Sequence, residues 1–361
     1  MSLARDTVTN LTHAPYVLLV DYNTSSVLMQ RNAYKRMAPS SMSKLMTLYM
    51  AFHFLKNGKI KLDDKVLVSE KAWRMQGSKM FLNLGSSVSV EDLLRGIIVQ
   101  SGNDASVALA EWIAGSESMF TNQINEMAKK IGLKNSHFKN ATGLPTDGHF
   151  MTSADVVHLA SKIIEDFPEY YHYFSETEFT HNKITQKNRN LLLGKHGVDG
   201  LKTGHADAAG YGLIFSAKQG QRRIIGVING LASEKERATE ATKVILCALN
   251  SFENLILFKA GSSVVSAPVW HGTLSEVSLT IEKDLEIVIP KMLSKDEIRA
   301  VAQYNDPLMA PLHSGQKVGV IKVYLNDKLD REVPLVVTSD VKPGGIFTII
   351  IQNIGALWRS L

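Results

Sequence analysis

Three short motifs stand in one order along this chain: Ser41-Met42-Ser43-Lys44, then Ser101-Gly102-Asn103, then Lys202-Thr203-Gly204. The intervals are 60 and 101 residues. If the three act together, the fold must carry residues far apart in sequence into one cleft. No single motif supports that requirement. Ser-x-x-Lys occurs four times, at Ser41, Ser136, Ser314 and Ser339, so alone it is noise. Ser-x-Asn and Lys-Thr-Gly occur once each, and the specificity lies in the ordered set.

The chemistry of the set is that of a serine nucleophile served by a lysine. A hydroxyl attacks poorly until a base removes its proton. Helical periodicity begins at Ser41 and runs through Leu45, Met46, Tyr49, Met50 and Phe52 to Asn57-Gly58. Ser41 and Lys44 then share one face at a helix start. Burial and the positive end of the helix both disfavour the ammonium form of Lys44, so a neutral base is available. Ser101 falls in a loop between two expected helices, where it can relay a proton, and Asn103 can bond a substrate backbone. A plainer role for either is capping the helix from Asp104. Lys202 and Thr203 fall where a strand is expected and suit a substrate carboxylate. Gly204 lets a substrate backbone approach closely. His205 follows, with a backbone N–H for an oxyanion.

The surrounding pattern reads as a mixed α/β (α+β) body with an antiparallel sheet. Strands at Tyr16–Asp21 and 27–30 form a hairpin. Helices are expected at Val90–Val99, at about 104–114, and from a Ser153 cap to Ile164. A hairpin at 210–217 and 222–228 precedes a helix from Glu234 to about Phe258, opened by a Ser233/Glu236 capping box. Short strands after Gly261 read as a small all-β sandwich or barrel. The expected domains are therefore 1–262, 263–342 and a terminal segment 343–361. That last segment has apolar residues at helical spacing: Phe347, Ile350, Ile351, Ile354, Trp358 and Leu361. At about 24 Å it is too short to span a bilayer. It suits either a helix docked on its own domain or an amphipathic helix lying on a membrane surface, and Trp358 near the end with the preceding linker favours the second.

Composition bounds the rest. At 361 residues, 45% hydrophobic and 21% charged, the chain has material for a large core and a second domain. Its charge of +5 comes without basic runs interleaved with aromatics, so nucleic acid is not an expected partner. The one cysteine, Cys247, excludes an internal disulfide and reads as a core residue. No Cys/His spacing suits a metal, and no cofactor is expected. The first residues lack the apolar run of a secretory signal, which fits either a cytosolic protein or one whose signal has been removed.

The ordered motifs are those of serine β-lactamases and penicillin-binding proteins. The chain resembles the low-molecular-weight penicillin-binding proteins, the serine-type D-alanyl-D-alanine carboxypeptidases. Further blocks carry the resemblance: Gln100 to Ala105, Asn188-Arg189-Asn190, Val198 to His205, Ala209-Gly210-Tyr211 and Ala267 to Trp270. Met42 and Ser43 stand where the family often has Leu and Thr. The resemblance implies removal of the terminal D-alanine from peptidoglycan stem peptides ending in D-Ala-D-Ala, through an acyl-enzyme on Ser41. It implies Lys44 as base, Ser101 as relay, and Asn103, Lys202, Thr203, Gly204, His205 and Arg189 as substrate contacts. It also implies acylation by β-lactam antibiotics. The substrate lies outside the cytoplasm, so a periplasmic enzyme attached peripherally to the inner membrane is expected, its signal removed. Two alternatives remain. A class A-like β-lactamase needs a deacylating glutamate, for which Glu178 with Asn182 is the one match in spacing. An inactive wall-binding homologue would need no chemistry from the three motifs.

Overall fold

The computed structural model describes residues 11–346, 349, 350 and 352. The expected amphipathic segment falls largely outside them. The described residues divide into two units, one ending at Asn250 and the other beginning at Ser251.

The larger unit contains strands β1 (Tyr16–Asp21), β2 (Val27–Arg31), β3 (Arg36–Met37), β4 (Lys65–Leu67), β5 (Ser87–Ser89), β6 (Met151–Thr152), β7 (Glu178–His181), β8 (Ile184–Lys187), β9 (Val198–Ala206), β10 (Gly210–Gln219) and β11 (Arg222–Leu231). Its helices are α1 (Lys44–Lys56), α2 (Glu70–Arg74), α3 (Val90–Val99), α4 (Asn103–Ala114), α5 (Glu117–Lys130), α6 (Ser153–Asp166) and α7, which begins at Glu234 and runs to Ser251. Five strands form one antiparallel sheet in the order β2-β1-β11-β10-β9. The N-terminal hairpin thus pairs with the last strand before α7, and the helical segments are inserted between them.

The core follows from α1. Ten of its thirteen residues are buried, on every side of the helix. A helix apolar all round belongs in the middle of a domain rather than on its surface. Leu45, Met46, Leu48 and Phe52 are each fully buried, in one core with Leu94, Ile97, Leu109, Phe120 and Ile163 of the neighbouring helices. Burying one such side chain contributes about 1.5–3 kcal/mol. The helix starts are set by side-chain caps. Ser89 Oγ accepts from Asp92 N at 3.1 Å, with Glu91 and Asp92 in the first turn of α3. In α6 the cap is Thr152, whose Oγ1 accepts from Asp155 N at 3.1 Å, one residue before the expected Ser153.

The smaller unit is all-β: β12 (Phe252–Phe258), β13 (Val265–Trp270), β14 (Glu276–Thr280), β15 (Leu285–Pro290), β16 (Ile298–Tyr304), β17 (Leu308–Met309), β18 (Lys317–Leu325) and β19 (Lys328–Val337). Six strands form a sheet ordered β16-β18-β19-β14-β13-β17, and β12 pairs with β15. Ala267, Leu279, Ile287, Ile321, Val323 and Leu335 form its core. The expected helix to Phe258 is corrected here. It ends at Ser251, and the next seven residues leave as β12 because they pair antiparallel with β15. Cys247 is half-buried on α7 rather than in the core.

Candidate active site

The first motif straddles a change of helix type. Pro39 leads into a 3-10 turn, Ser40–Ser43, and α1 begins at Lys44. Ser41 therefore stands on a tight turn at the mouth of a cleft of about 430 Å³, while Lys44 is carried to the buried end of the central helix. Lys44 Nζ lies 2.8 Å from Ser41 Oγ and 2.7 Å from Asn103 Oδ1, and it also donates to the carbonyl of Thr142. Burial pushes the Lys44 amine down from 10.5 to about 7, Arg189 pushes the same way, and Asp104 opposes them.

The second motif is held by an unusual backbone. Ser101 has φ +62° and Oγ buried without a hydrogen-bond partner among the described residues. Such conformations in L residues persist where the surrounding structure enforces them, and they cluster at functional sites. Neither Ser101 nor Asn103 caps α4. The cap position is Gly102, with no side-chain bond, and Asn103 is the first helical residue. Its Oδ1 faces Lys44, while Nδ2 donates to Gln76 O at 2.7 Å and its backbone N–H to Ser78 O at 2.7 Å. The adjacent Asp104 accepts from Met80 N and Leu82 N, so segment 76–82 is stitched to this motif.

The third motif lies on β9, the edge strand of the sheet. Its placement depends on Gly204. A methyl there would fall 2.8 Å from Met42 Cγ and 3.0 Å from Pro39 O. Glycine thus allows the edge strand to press against the Ser41 turn. Lys202 is buried, its Nζ donating to Thr203 O at 3.2 Å. Desolvation, then Lys44, Arg189 and Arg237, push its pKa well below the lysine range. An incoming anion would oppose that shift. His205 is half-exposed and stacks on Tyr211, its cross-strand partner, with ring centroids 3.9 Å apart.

Ser41, Ser101, Asn103, Arg189, Thr203, Gly204 and His205 all line the cleft. Lys44 and Lys202 are not in its lining; they stand in the wall behind Ser41 and Thr203. Sequence reasoning missed five further lining residues, Gly77, Ser78, Leu144, Glu234 and Arg237, and the Thr142 carbonyl at Lys44. The Arg237 side chain is 5% exposed and donates to Glu234 Oε1 and to Arg189 O, both at 2.8 Å. Its sequence signal was absent, since a charge near the start of a polar helix reads as a solvated face. Glu178, the candidate deacylating glutamate, sits exposed on β7 and is not among the residues lining the cleft. No group of His, Cys, Asp and Glu placed to hold a metal is found among the described residues.

Comparison with known proteins gives the family. The D-alanyl-D-alanine carboxypeptidase family matches residues 5–232, and the penicillin-binding protein 5 C-terminal domain matches residues 252–343. D-alanyl-D-alanine carboxypeptidase DacA of Escherichia coli K12 is 39% identical over 350 residues, covering 95% of this chain and 87% of its own. The crystal structure of penicillin binding protein 5 from Haemophilus influenzae superposes with a TM-score of 0.84 at 38% identity, covering 91% of this chain and 97% of that one. Penicillin-binding protein D2 of Listeria monocytogenes in its ampicillin-bound form has a TM-score of 0.61 at 29% identity, covering 66% of this chain and 97% of its own. With both units matched over nearly the whole length, this chain belongs to the D-alanyl-D-alanine carboxypeptidase family and is a serine peptidase of the penicillin-binding protein 5 type.

Proposed function

We propose that Ser41 is the nucleophile of this carboxypeptidase and Lys44 its base. One observation carries the assignment: the three contacts of Lys44 Nζ. Asn103 Oδ1 and the Thr142 carbonyl can only accept. In a neutral amine they take both N–H bonds, so the lone pair is left facing Ser41 Oγ. The depressed pKa makes that neutral form accessible near pH 7.

The sequence of events follows. Ser41 Oγ attacks the carbonyl carbon between the two D-alanines as its proton passes to Lys44. The oxyanion is held by the backbone N–H groups of Ser41 and His205. Collapse breaks the C–N bond, and Ser101 relays the proton from Lys44 to the departing amine of D-alanine. Water then cleaves the Ser41 ester and restores the hydroxyl. Asn103 orients Lys44 in the empty site and meets the substrate backbone when it enters. Lys202, Thr203, Arg189, His205 and Arg237 bind the terminal carboxylate, a cationic wall matched to one anion.

Ampicillin occupies the Listeria relative, and a β-lactam likewise acylates Ser41 here. The substrate class sets the enzyme outside the cytoplasm, in the periplasm. Among the described residues no helix is long and apolar enough to cross a membrane. The spacing of Phe347, Ile350, Ile354 and Trp358 supports peripheral attachment by the terminal segment.

Intact-mass analysis after incubation with a penicillin, followed by peptide mapping, tests the assignment. One adduct on the peptide containing Ser41 is expected, absent in Ser41→Ala. An adduct elsewhere would remove Ser41 from the mechanism.

A further inference from the structure

Among the described residues lining the cleft, Glu234 supplies the one carboxylate, and it faces the cationic wall. It opens α7 and reaches Arg237 one turn on, Oε1 to Nη2 at 2.8 Å. The partners are unequally buried: the Arg237 side chain is 5% exposed and Glu234 50%. A buried guanidinium needs an anion at nearly all times. A half-exposed carboxylate can leave for water at little desolvation cost. Of the two, Glu234 is therefore the one free to move. It also opposes the burial that weakens the charged forms of both Arg189 and Arg237.

We propose that Glu234 is a built-in stand-in for the substrate's terminal carboxylate: it neutralises Arg237 in the empty cleft and is displaced when the D-alanine carboxylate arrives. This deepens the carboxylate-site reading and rests on it. The consequence is a competitor that acts only on ligands able to use Arg237. A ligand without a terminal carboxylate cannot take over Arg237 and gains nothing by expelling Glu234. A ligand with one must outcompete a resident carboxylate, which raises its KM. The residue acts by competition at Arg237 and takes no part in the bond-making steps, so its effect falls on binding.

The test uses the full chain, an N-acylated tripeptide ending in D-Ala-D-Ala, and the same tripeptide with its C-terminus amidated as a competitive inhibitor. Glu234→Gln keeps the shape and an acceptor oxygen but removes the charge. KM for the acid is expected to fall about two- to fivefold, the range of a half-exposed ion pair. The gain sits in KM rather than kcat, and the Ki of the amidated peptide does not move. If KM rises instead, Glu234 orients Arg237 and the displacement idea is lost. Equal changes for acid and amide would also overturn it. Arg237→Ala separates the two layers. If that variant leaves the KM of the acid untouched, the carboxylate site itself is misassigned. If it raises KM while Glu234→Gln lowers nothing, the stand-in alone is wrong.

Discussion

With Lys44 as the proposed base, one position sets the expected working pH of the site. Its amine is buried among neutral acceptors near Arg189, so the charged form loses solvation without gaining a close carboxylate. Below about 7 the amine holds its proton and cannot take that of Ser41. The pH profile of kcat/KM for D-alanine release should therefore rise through about 7 and level above it; a flat profile from pH 5 to 8 would contradict this base. The same shift has a stability sign. Between the lowered folded value and the ordinary 10.5, the unfolded chain binds a proton that the folded chain does not, so the contribution of Lys44 to stability rises with pH across that window. Lys44→Ala should lower the acylation rate by ~10²–10⁴. Lys44→Arg should be equally slow, since a guanidinium does not deprotonate. Gly204 is the other decisive position. Gly204→Ala places a methyl 2.8 Å from Met42 Cγ, and its overpacking of about 1–3 kcal/mol should push β9 off the Ser41 turn, seen as slower penicillin labelling.

Among the elements, the 140–146 turn supplies one of the two acceptors that hold the proposed base. Asn140 Oδ1 accepts from Thr142 N, Thr142 Oγ1 and Gly143 N, while Nδ2 donates to Leu144 O and Thr146 Oγ1. One side chain thereby fixes the turn that presents the Thr142 carbonyl to Lys44. Asn140→Ala should lower kcat with a smaller change in KM and cost about 1–3 kcal/mol in stability from the polar groups left unpaired. Ser89→Ala, which uncaps the remote α3, should cost about 1 kcal/mol in denaturant titration and leave kcat alone. The 140–146 turn gave no sequence signal, because its role depends on where Lys44 sits. Helices α3 and α4 were legible to within a residue or two, whereas α1 starts three residues after the expected Ser41, behind the 3-10 turn of Ser40–Ser43. Helix α5 was missed although Phe120, Ile124 and Ala128 recur at helical spacing behind a Ser116 cap. Residues 252–258 continue an apolar pattern that suits helix or strand, and long-range pairing with β15 decided it.

At the scale of the whole molecule, each unit has its own core. Relatives such as the Listeria protein match two-thirds of this chain while spanning nearly all of themselves. All the proposed site residues lie within residues 5–250. That fragment is expected to release D-alanine from a soluble peptide with a kcat/KM close to that of the full chain, as steady-state assays can check. A folded but inactive fragment would show that the β unit completes the site.

What the sequence determined by itself was the family. An ordered Ser-x-x-Lys, Ser-x-Asn and Lys-Thr-Gly set is specific as a set, because residue type and order are properties of the chain alone, and it is the basis on which a nucleophile, a base, a relay and an anion site are proposed. The charge state of Lys44, the orphaned hydroxyl of Ser101, the Thr142 carbonyl at Lys44 and the burial of Arg237 against the Arg189 carbonyl were decided only by tertiary structure. Each depends on desolvation or on a partner distant in sequence, and neither quantity exists until the core around α1 has closed.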